Sequence, residues 1–348
     1  MQVREKVDLQ NLNTLAVPSS AEYFCEPESV EEINSAVGWA KTKGCALQIL
    51  GGGSNVVLPD QISGLVIKPK LLGRELSKIV TKAGCEEAIL RLGAGENWHE
   101  IVSWCLHNEL YGLERLALIP GTVGAAPVQN IGAYGVELSQ FVEQVEYFDY
   151  TTCQTVVLNA QQCSFAYRDS IFKHQLKGRA LITHLSLRLS TDNSVITRLD
   201  FESLYPPLRD ALSANHGLSP TELFEAVCAV RRSKLPAPEE IPNSGSFFKN
   251  PLVPMSAFKE LIASYPEMPF YRVDGADEVK LAAGWLIEQA GWKGKGFDGA
   301  MVHDKQALVL TNPGRLPARH VLALANQVSR SIQEKFGIQL EVEPQLLK

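Results

Sequence analysis

The sequence predicts an α+β protein built from two or three domains. Its 348 residues are more than one ordinary hydrophobic core accommodates. Short apolar runs typical of strands are mixed with amphipathic segments typical of helices, and no internal repeat relates one part of the chain to another. Pro236 and Pro238 follow a helical segment, and they mark the preferred boundary before the last domain.

The first predicted domain, residues 1–70, contains a small lobe of helix and strands. A helix is expected from Pro27 to Gly44, because apolar side chains recur on one face and a glycine ends the segment. Strands are expected at Leu47–Leu50 and at Leu65–Lys68.

The second predicted domain, residues 71–235, combines short strands with two helices. Ser219 and Glu222 form a capping box at the start of a helix that ends near Lys234. The remaining expected elements are a helix at Glu96–Leu110 and strands at Ile89–Leu92, Val142–Tyr150, Thr155–Leu158 and Leu181–Leu189.

The third predicted domain covers residues 236–337 and is followed by a tail, residues 338–348. The tail is expected to form a final strand at Ile338–Val342. Within the domain, the pattern predicts a helix at Lys280–Ala290, a strand at Ala307–Thr311 and a long helix at Pro317–Phe336.

Composition limits the classes of function. A net charge of −6 and an isoelectric point near 5.7 argue against broad binding to nucleic acids or anionic membranes. Seven scattered cysteines without a CxxC pair are typical of free thiols in a reducing compartment. The N-terminus lacks an apolar signal core, and no apolar run reaches membrane-spanning length. We therefore expect a cytoplasmic monomer that is not inserted into a membrane.

No metal site is expected. The histidines do not cluster at ligand spacing, and neither an HExxH nor an EF-hand pattern occurs.

The first candidate site is the pentapeptide Gly51-Gly52-Gly53-Ser54-Asn55, directly after a predicted strand. Glycines allow backbone N–H groups to approach a phosphate closely, and the serine and asparagine add further donors. A tight turn without a ligand explains the pentapeptide equally well.

The second candidate is a glycine-rich ribbon, residues 118–135. Four glycines and three alanines among its eighteen residues leave few side chains with which to build a core. Such a segment is typical of a main chain against which a flat cofactor packs, and the polar side chains of Thr122, Gln129 and Asn130 favour a ligand. The alternative is a loop that crosses a tight domain junction.

Four further segments carry polar groups suited to catalysis or binding. Arg168 lies among aromatic residues, where a guanidinium is costly unless it is paired. It either forms a structural salt bridge near Asp169 or faces a substrate carboxylate. Arg231 to Lys234 end a helix, and cations there are commonly solvated. The segment Asn243–Pro251 and the terminal carboxylate Glu343 carry little signal alone.

Together these segments resemble the UDP-N-acetylenolpyruvoylglucosamine reductases. The resemblance rests on the ribbon, on Ala166-Tyr167-Arg168-Asp169-Ser170, on Gly245-Ser246-Phe247-Phe248-Lys249-Asn250-Pro251 and on Lys280-Leu281-Ala282-Ala283-Gly284-Trp285. It implies an FAD-binding fold of the vanillyl-alcohol-oxidase type in two lobes, with a third domain over the substrate. It also implies that NADPH reduces FAD, which then passes hydride to the enolpyruvyl group in peptidoglycan precursor synthesis.

The resemblance assigns residues to three roles. Arg168 would neutralise the developing enolate, Ser246 would protonate the α-carbon, and Glu343 would be protonated when hydride moves. Lys249 and Lys234 are candidates for stabilising the serine alkoxide. Implied substrate contacts are Tyr205, Lys234, Asn250 and Lys280. Implied cofactor contacts are Gly51, Gly52, Gly53, Ser54, Asn55, Ile119, Pro120, Gly121, Thr122, Gly124, Ala125, Gln129, Asn130, Ile131, Gly132, Ala133, Tyr134 and Arg231.

Two rival functions stay open from the sequence. A flavin oxidase of the same fold commonly tethers its flavin through histidine or cysteine, and no histidine occurs in residues 112–173. A non-catalytic nucleotide-binding module would have no need for the set Arg168, Ser246 and Glu343.

Overall fold

The computed structural model describes residues 1–80, 86–201, 204–212, 218–273 and 277–347, without the side chains of residues 78–80. The chain forms two compact units, each assembled from separate stretches of sequence. The first unit comprises Met1–Val7, Ala21–Gly53 and Ser63–Ser233, and the second comprises Asp8–Ser20, Ser54–Ile62 and Lys234–Lys348. The predicted domain limits at residues 70, 235 and 337 remain predictions.

A four-stranded sheet and one helix form a layer of the first unit. The helix, Val30–Lys43, begins after Ser29, whose hydroxyl accepts the N–H of Glu32, and ends at Gly44 with φ of 66°. Its inner face shares a hydrophobic cluster with the neighbouring strands. The spatial order of the strands is Arg4–Asp8, Ser20–Cys25, Gln61–Ile67 and Leu47–Ile49. The predicted helix and both predicted strands are confirmed, although one strand begins earlier, at Gln61.

The larger sheet of the first unit is antiparallel. Leu185, Leu187 and Leu189 alternate into the core, as their period of two predicts. The helix Trp98–His107 packs into the same hydrophobic cluster. The spatial order of the strands is Gln154–Asn159, Val142–Asp149, Ala180–Ser190, Glu86–Gly93 and Arg74–Val80. The predicted strands and helix are confirmed, whereas the edge strand Arg74–Val80 was not predicted.

Short helices complete the first unit, and one of them confirms the capping box. The hydroxyl of Ser219 accepts the N–H of Glu222 at 3.2 Å, and the carboxylate of Glu222 accepts the N–H of Ser219 at 3.0 Å. The α-helices are Ser194–Thr197, Pro206–Ala211 and Pro220–Lys234, and single 3₁₀ turns lie at Glu114–Leu116, Leu138–Gln140 and Ile171–Lys173.

Within the described residues, the second unit contains two sheets of three or more strands, a two-stranded parallel sheet and three helices. The helix Ala318–Phe336 follows Pro317 and ends at Gly337, and it buries Val321, Leu324 and Val328. One sheet has the order Asn243–Ser246, Val309–Thr311, Ala300–Val302 and Gly296–Phe297, and the other has Leu252–Pro254, Glu278–Leu281 and Phe270–Arg272. The other helices are Met255–Ser264 and Ala283–Gln289, with a 3₁₀ turn at Gln10–Leu12.

Two predictions about the second unit are wrong in their boundaries. Lys280 lies in the strand Glu278–Leu281, and the following helix begins only at Ala283. The N–H of Ala283 is bound at 2.9 Å by the side-chain oxygen of Asn250, so a residue distant in sequence determines where this helix starts.

The predicted tail strand at Ile338–Val342 is also wrong. Only Val342 forms a single bridge, with Phe248, and the strand itself lies at Gln345–Leu346, parallel to Val56–Val57. Pro344 lacks the N–H that a continuous ladder requires, so pairing stops before it and resumes after it.

Glu114 is a buried carboxyl group in the core of the first unit. It is 2% exposed, and its Oε2 accepts the N–H of Gly112 at 2.9 Å. Burial raises the pKa of Glu114 from 4.5 to about 7. The folded protein therefore holds a proton over a pH range in which the unfolded chain releases it, and stability must fall as the pH rises toward 7.

The variant Glu114→Gln is expected to lose this pH dependence. Between pH 5 and pH 8, the difference in free energy of unfolding between the variant and the parent should change by on the order of 2 kcal/mol in favour of the variant. The reason is that only the parent must bury a carboxylate at the higher pH. Urea denaturation at both pH values measures the change. Glu109→Gln, at an exposed position in the same unit, is the control. An identical pH profile for parent and Glu114→Gln would contradict the argument.

Candidate active site

The turn Gly51–Gly53 lies against the glycine-rich ribbon within the first unit. A Cβ atom added to Gly52 would lie 2.7 Å from the Cα atom of Gly121, and one added to Gly51 would lie 3.0 Å from Oγ1 of Thr122. At Gly52 the two main chains therefore meet without a side chain between them. Such a surface presents backbone groups to a phosphorylated or flat ligand, and it fits the expected FAD.

The first half of the ribbon is fixed by the segment that precedes it. The N–H of Val123 donates to the carbonyl of Glu96, and the N–H of Gly124 donates to the carbonyl of Ala94, both at 2.9 Å. A Cβ atom at Gly124 would lie only 2.6 Å from that of Ala94. Close packing against the preceding segment therefore accounts for the glycine at position 124.

Tyr134, near the end of the ribbon, lies among basic and aromatic side chains of the first unit. Nη1 of Arg115 donates to the Tyr134 carbonyl at 3.2 Å, and the ring of Tyr205 lies 5.7 Å away, centroid to centroid. The guanidinium of Arg231 hydrogen-bonds the Tyr134 side chain. Burial raises the pKa of the Tyr134 phenol, and the positive charge of Arg231 opposes that rise.

Arg231 provides the test of whether these residues fit a flavin nucleotide. Burial lowers the pKa of its guanidinium, and the nearby positive charge of Arg168 acts in the same direction. Among the residues that the structure describes, no hydrogen-bond acceptor lies near its buried Nε atom. A buried donor without an acceptor is costly, so an electron-rich ligand here would satisfy it. A flavin ring or a phosphate has oxygen atoms that can accept this hydrogen bond, and the residues therefore fit FAD.

Arg168 is held against the second half of the ribbon. Its Nη2 atom donates to the carbonyl of Gly132 at 2.8 Å, and its own carbonyl accepts from Nζ of Lys173 at 3.0 Å. Its φ of 54° lies in the left-handed region, which is uncommon for arginine. Asp169, the partner considered for a structural salt bridge, has its carboxylate 2.7 Å from His174.

The segments that carry Ser246 and Glu343 lie side by side in the second unit. Ser246 ends a strand and follows Gly245, whose φ is 71° and whose N–H is bound by the side chain of Asn243 at 2.9 Å. The N–H of Glu343 donates to the carbonyl of Phe247 at 3.0 Å. This hydrogen bond places Glu343 beside the residue that immediately follows Ser246.

The structure distinguishes Glu343 from its neighbour Glu341. The side chain of Glu341 is 69% exposed and lies 2.5 Å from Nζ of Lys249. Glu343 is half-buried. The ammonium of Lys249 is therefore bound to an exposed carboxylate, and the expected roles of Lys249 and Lys234 toward a charge on Ser246 stay predictions.

The remaining predicted residues lie in both units. The two units divide the pentapeptide after Gly53, and the carbonyl of Asn55 in the second unit accepts the N–H of Gln345 at 3.0 Å. Nζ of Lys280 lies 5.7 Å from the ring centroid of Tyr271. The proposed contacts of Ser54, Asn55, Asn250 and Lys280 with ligands stay predictions.

Sequence reasoning missed Arg115 and Ser170, both of which contact the ribbon. The hydroxyl of Ser170 donates to the carbonyl of Val128 at 2.6 Å. The adjacent charges of Glu114 and Arg115 in an otherwise apolar stretch were the available signal for the first. Ser170 belongs to the segment already selected for Arg168, but nothing in its spacing indicates the contact.

Neither a metal-binding cluster nor a membrane-spanning helix occurs among the described residues. Within those ranges, no group of three or more His, Cys, Asp or Glu side chains is arranged to hold a metal ion. None of the described helices has the length and apolar character needed to cross a membrane.

Two family models match different parts of the chain. Residues 21–159 match the family of FAD binding domains, and residues 237–347 match the C-terminal domain of UDP-N-acetylenolpyruvoylglucosamine reductase. The crystal structure of the UDP-N-acetylenolpyruvylglucosamine reductase from Thermus caldophilus aligns over 100% of both chains, with a TM-score of 0.67 and 23% identity. That structure and the domain match confirm the expected α+β, FAD-binding fold.

Full-length relatives establish the family. The UDP-N-acetylenolpyruvoylglucosamine reductase of Pseudoalteromonas translucida is 42% identical over 339 residues, covering 97% of this chain and 95% of the relative. That of Pseudomonas syringae pv. syringae is 40% identical over 349 residues, covering 99% of both. With identity of this level over nearly the whole length, the chain belongs to the UDP-N-acetylenolpyruvoylglucosamine reductase family.

Proposed function

We propose that this protein reduces the enolpyruvyl group of UDP-N-acetylenolpyruvoylglucosamine, with FAD as cofactor and NADPH as reductant, to give UDP-N-acetylmuramate for peptidoglycan synthesis. The observation that carries the proposal is the fixed guanidinium of Arg168 on the ribbon of a chain related to such reductases over nearly its full length. Neither a flavin oxidase nor a non-catalytic nucleotide module is favoured by these relatives. We further propose that the protein acts as a cytoplasmic monomer.

The turn Gly51–Gly53, the ribbon and Arg231 would hold the cofactor. When bound, the cofactor would supply hydride transfer from NADPH to the enolpyruvyl double bond. The main-chain surfaces of the turn and the ribbon suit the diphosphate and the ring, and Nε of Arg231 would gain the acceptor that it otherwise lacks in the described structure.

Arg168 would bind the substrate carboxylate. Reduction of the double bond moves negative charge onto the α-carbon and its carboxylate, and a cation fixed in advance stabilises that charge without having to reorganise. The bonds from Nη2 of Arg168 to Gly132 and from Lys173 to the Arg168 carbonyl supply this fixation.

Ser246 and Glu343 would complete the reaction at the α-carbon. The hydroxyl of Ser246 would donate the proton, since a carbanionic carbon is a stronger base than a serine alkoxide. Glu343 would act as a neutral hydrogen-bond donor, because a second negative charge beside the developing enolate would oppose its formation.

Spectroscopy and turnover test the function directly. The purified protein is expected to be yellow, to absorb as oxidised flavin, and to release its FAD on denaturation. It should oxidise NADPH faster when UDP-N-acetylenolpyruvoylglucosamine is added. A protein that takes up no FAD would contradict the proposal. A flavin that stays covalently attached on denaturation would indicate the oxidase. If the UDP-sugar did not change the rate of NADPH oxidation, it would not be the substrate.

Substitutions of Glu343 test whether its side chain acts as a neutral hydrogen-bond donor or must carry a negative charge. Glu343→Gln keeps a hydrogen-bond donor and is expected to retain measurable turnover, whereas Glu343→Ala should lose about 10²–10⁴-fold in kcat. Steady-state kinetics with the UDP-sugar measure both. Glu341→Gln, which neutralises the exposed neighbouring carboxylate, is the control and should stay near the parent rate. Equal losses for Gln and Ala at position 343 would count against a neutral donor.

A further inference from the structure

Both polar atoms of the Asn130 side chain are hydrogen-bonded within the first unit. Asn130 is 0% exposed, and its φ of 45° places it in the left-handed region, which asparagine tolerates better than most residues. Its amide nitrogen donates to the carboxylate of Glu137 at 2.8 Å and to the carbonyl of Ala166 at 3.1 Å. Its amide oxygen accepts the N–H of Ser139 at 2.9 Å. Any contact of Asn130 with a cofactor would therefore involve its main chain.

The residue that receives one of these bonds begins the turn that carries Arg168. Ala166 and Asp169 exchange two backbone hydrogen bonds of 3.1 Å each, so residues 166–169 form a closed loop with Arg168 near its tip. We call residues 166–170 the arginine turn. Its position therefore depends on where the Ala166 carbonyl and its neighbours are held.

Three side-chain hydrogen bonds join the arginine turn to the ribbon. They are the bond from Asn130 to the Ala166 carbonyl, the bond from the Ser170 hydroxyl to the Val128 carbonyl at 2.6 Å, and the bond from Arg168 to the Gly132 carbonyl at 2.8 Å. Ser170 is 1% exposed, and the Asn130 amide is completely removed from solvent. Water cannot readily replace it, so its loss would leave buried backbone groups unsatisfied.

The arginine turn requires such support. Arg168 adopts a left-handed conformation that an L-residue with a long side chain leaves readily unless its surroundings hold it there. Relaxation of its φ to negative values would redirect the side chain, and with it the guanidinium that now lies on Gly132.

We propose that Asn130 is a positioning residue for Arg168, which locks the arginine turn onto the ribbon and so sets the guanidinium where the substrate carboxylate is bound. The inference rests on the proposed function of Arg168. Because protein groups occupy its side-chain amide, Asn130 would act through the Ala166 carbonyl, with Glu137 orienting the amide.

A double-mutant cycle tests the proposal. Asn130→Gly removes the amide but permits positive φ, and it is combined with Arg168→Ala. Alone, Asn130→Gly is expected to slow flavin reoxidation by the UDP-sugar about 10- to 100-fold, as small misplacements of a catalytic group do. FAD affinity of the apoprotein and flavin reduction by NADPH should stay near the parent values. Beside Arg168→Ala, the same change should add less than about 3-fold.

Hydrogen exchange of the apoprotein gives a readout that is independent of activity. The amides of Ala166 and Asp169 should exchange faster in Asn130→Gly than in the parent, because their turn is no longer locked. Should Asn130→Gly fail to fold, Glu137→Ala removes only one partner of the amide. It should produce a smaller loss with the same non-additivity toward Arg168→Ala.

The outcomes separate this inference from the function on which it rests. If the losses in reoxidation rate of the two single variants multiply in the double variant, Asn130 does not act through Arg168. A drop in FAD affinity with unchanged hydrogen exchange at Ala166 and Asp169 would likewise overturn the positioning role. Both outcomes would leave the catalytic assignment of Arg168 in place. Full reoxidation rates in Arg168→Ala itself would instead overturn the catalytic assignment of Arg168.

Discussion

Ser246→Ala is expected to leave reduction of the bound flavin by NADPH intact and to slow its reoxidation by UDP-N-acetylenolpyruvoylglucosamine by about 10²–10⁴-fold, the usual cost of losing a positioned proton donor. The physical reason is that only the second half-reaction forms an enolate. Without the hydroxyl that enolate is not protonated, so hydride returns to the flavin and net reoxidation slows. Anaerobic stopped-flow measurement of the two half-reactions separates them. The backbone before position 246 should be unaffected, because the hydrogen bond from the Gly245 N–H to the side chain of Asn243 does not involve Ser246.

Ser244→Ala is the matched control for this prediction. Ser244 lies in the same strand, is 5% exposed, and its hydroxyl has no hydrogen-bond partner in the described structure. Its removal should therefore leave both half-reactions near the parent rates and should not destabilise the protein. If Ser246→Ala slowed both half-reactions equally, Ser246 would not be the proton donor.

Gly52→Ala is expected to weaken FAD binding by about 10- to 100-fold, which corresponds to the 1–3 kcal/mol cost of overpacking a closely packed contact. The added methyl group would lie 2.7 Å from the Cα atom and 3.2 Å from the carbonyl carbon of Gly121. Both are backbone atoms, so no flexible side chain can move aside. The turn or the ribbon must shift, and both belong to the surface proposed for the cofactor. Fluorescence titration of apoprotein with FAD measures the loss.

Gly38→Ala provides a control within the same unit. Gly38 lies inside the helix Val30–Lys43 with no atom within 4 Å of an added Cβ. Alanine there should leave FAD binding unchanged and should stabilise the protein by about 0.5–1 kcal/mol through helix propensity. Equal FAD affinity in Gly52→Ala and the parent would show that the turn and the ribbon do not form the cofactor surface.

Local signals in the sequence accounted for most of the helices. The helix at Val30–Lys43 has a serine cap, a regular apolar face and a terminal glycine within its own residues, and the helix at Pro220–Lys234 has its capping box. The strands with a clear period of two were found for the same reason. Each of these signals is contained within about a dozen neighbouring residues, so no knowledge of the rest of the chain was needed.

Elements defined by distant partners were misplaced or missed. Lys280 lies in a strand because its segment pairs with Leu252–Pro254 and Phe270–Arg272. The polar edge strand Arg74–Val80 exists because it pairs with Glu86–Gly93. Strand formation is completed by hydrogen bonds to other segments, and neither partner is visible in the local pattern.

The sequence by itself determined the family, the α+β class and the candidate set, because glycine content, charged residues among aromatics and motif order can all be read along the chain. Only the tertiary structure decided what the side chains do. It bound Glu341 to Lys249, placed Glu343 beside the segment of Ser246, and enclosed the Asn130 amide among protein groups. Burial and hydrogen-bond partners arise from segments that are distant in sequence, and a residue's chemistry depends on both.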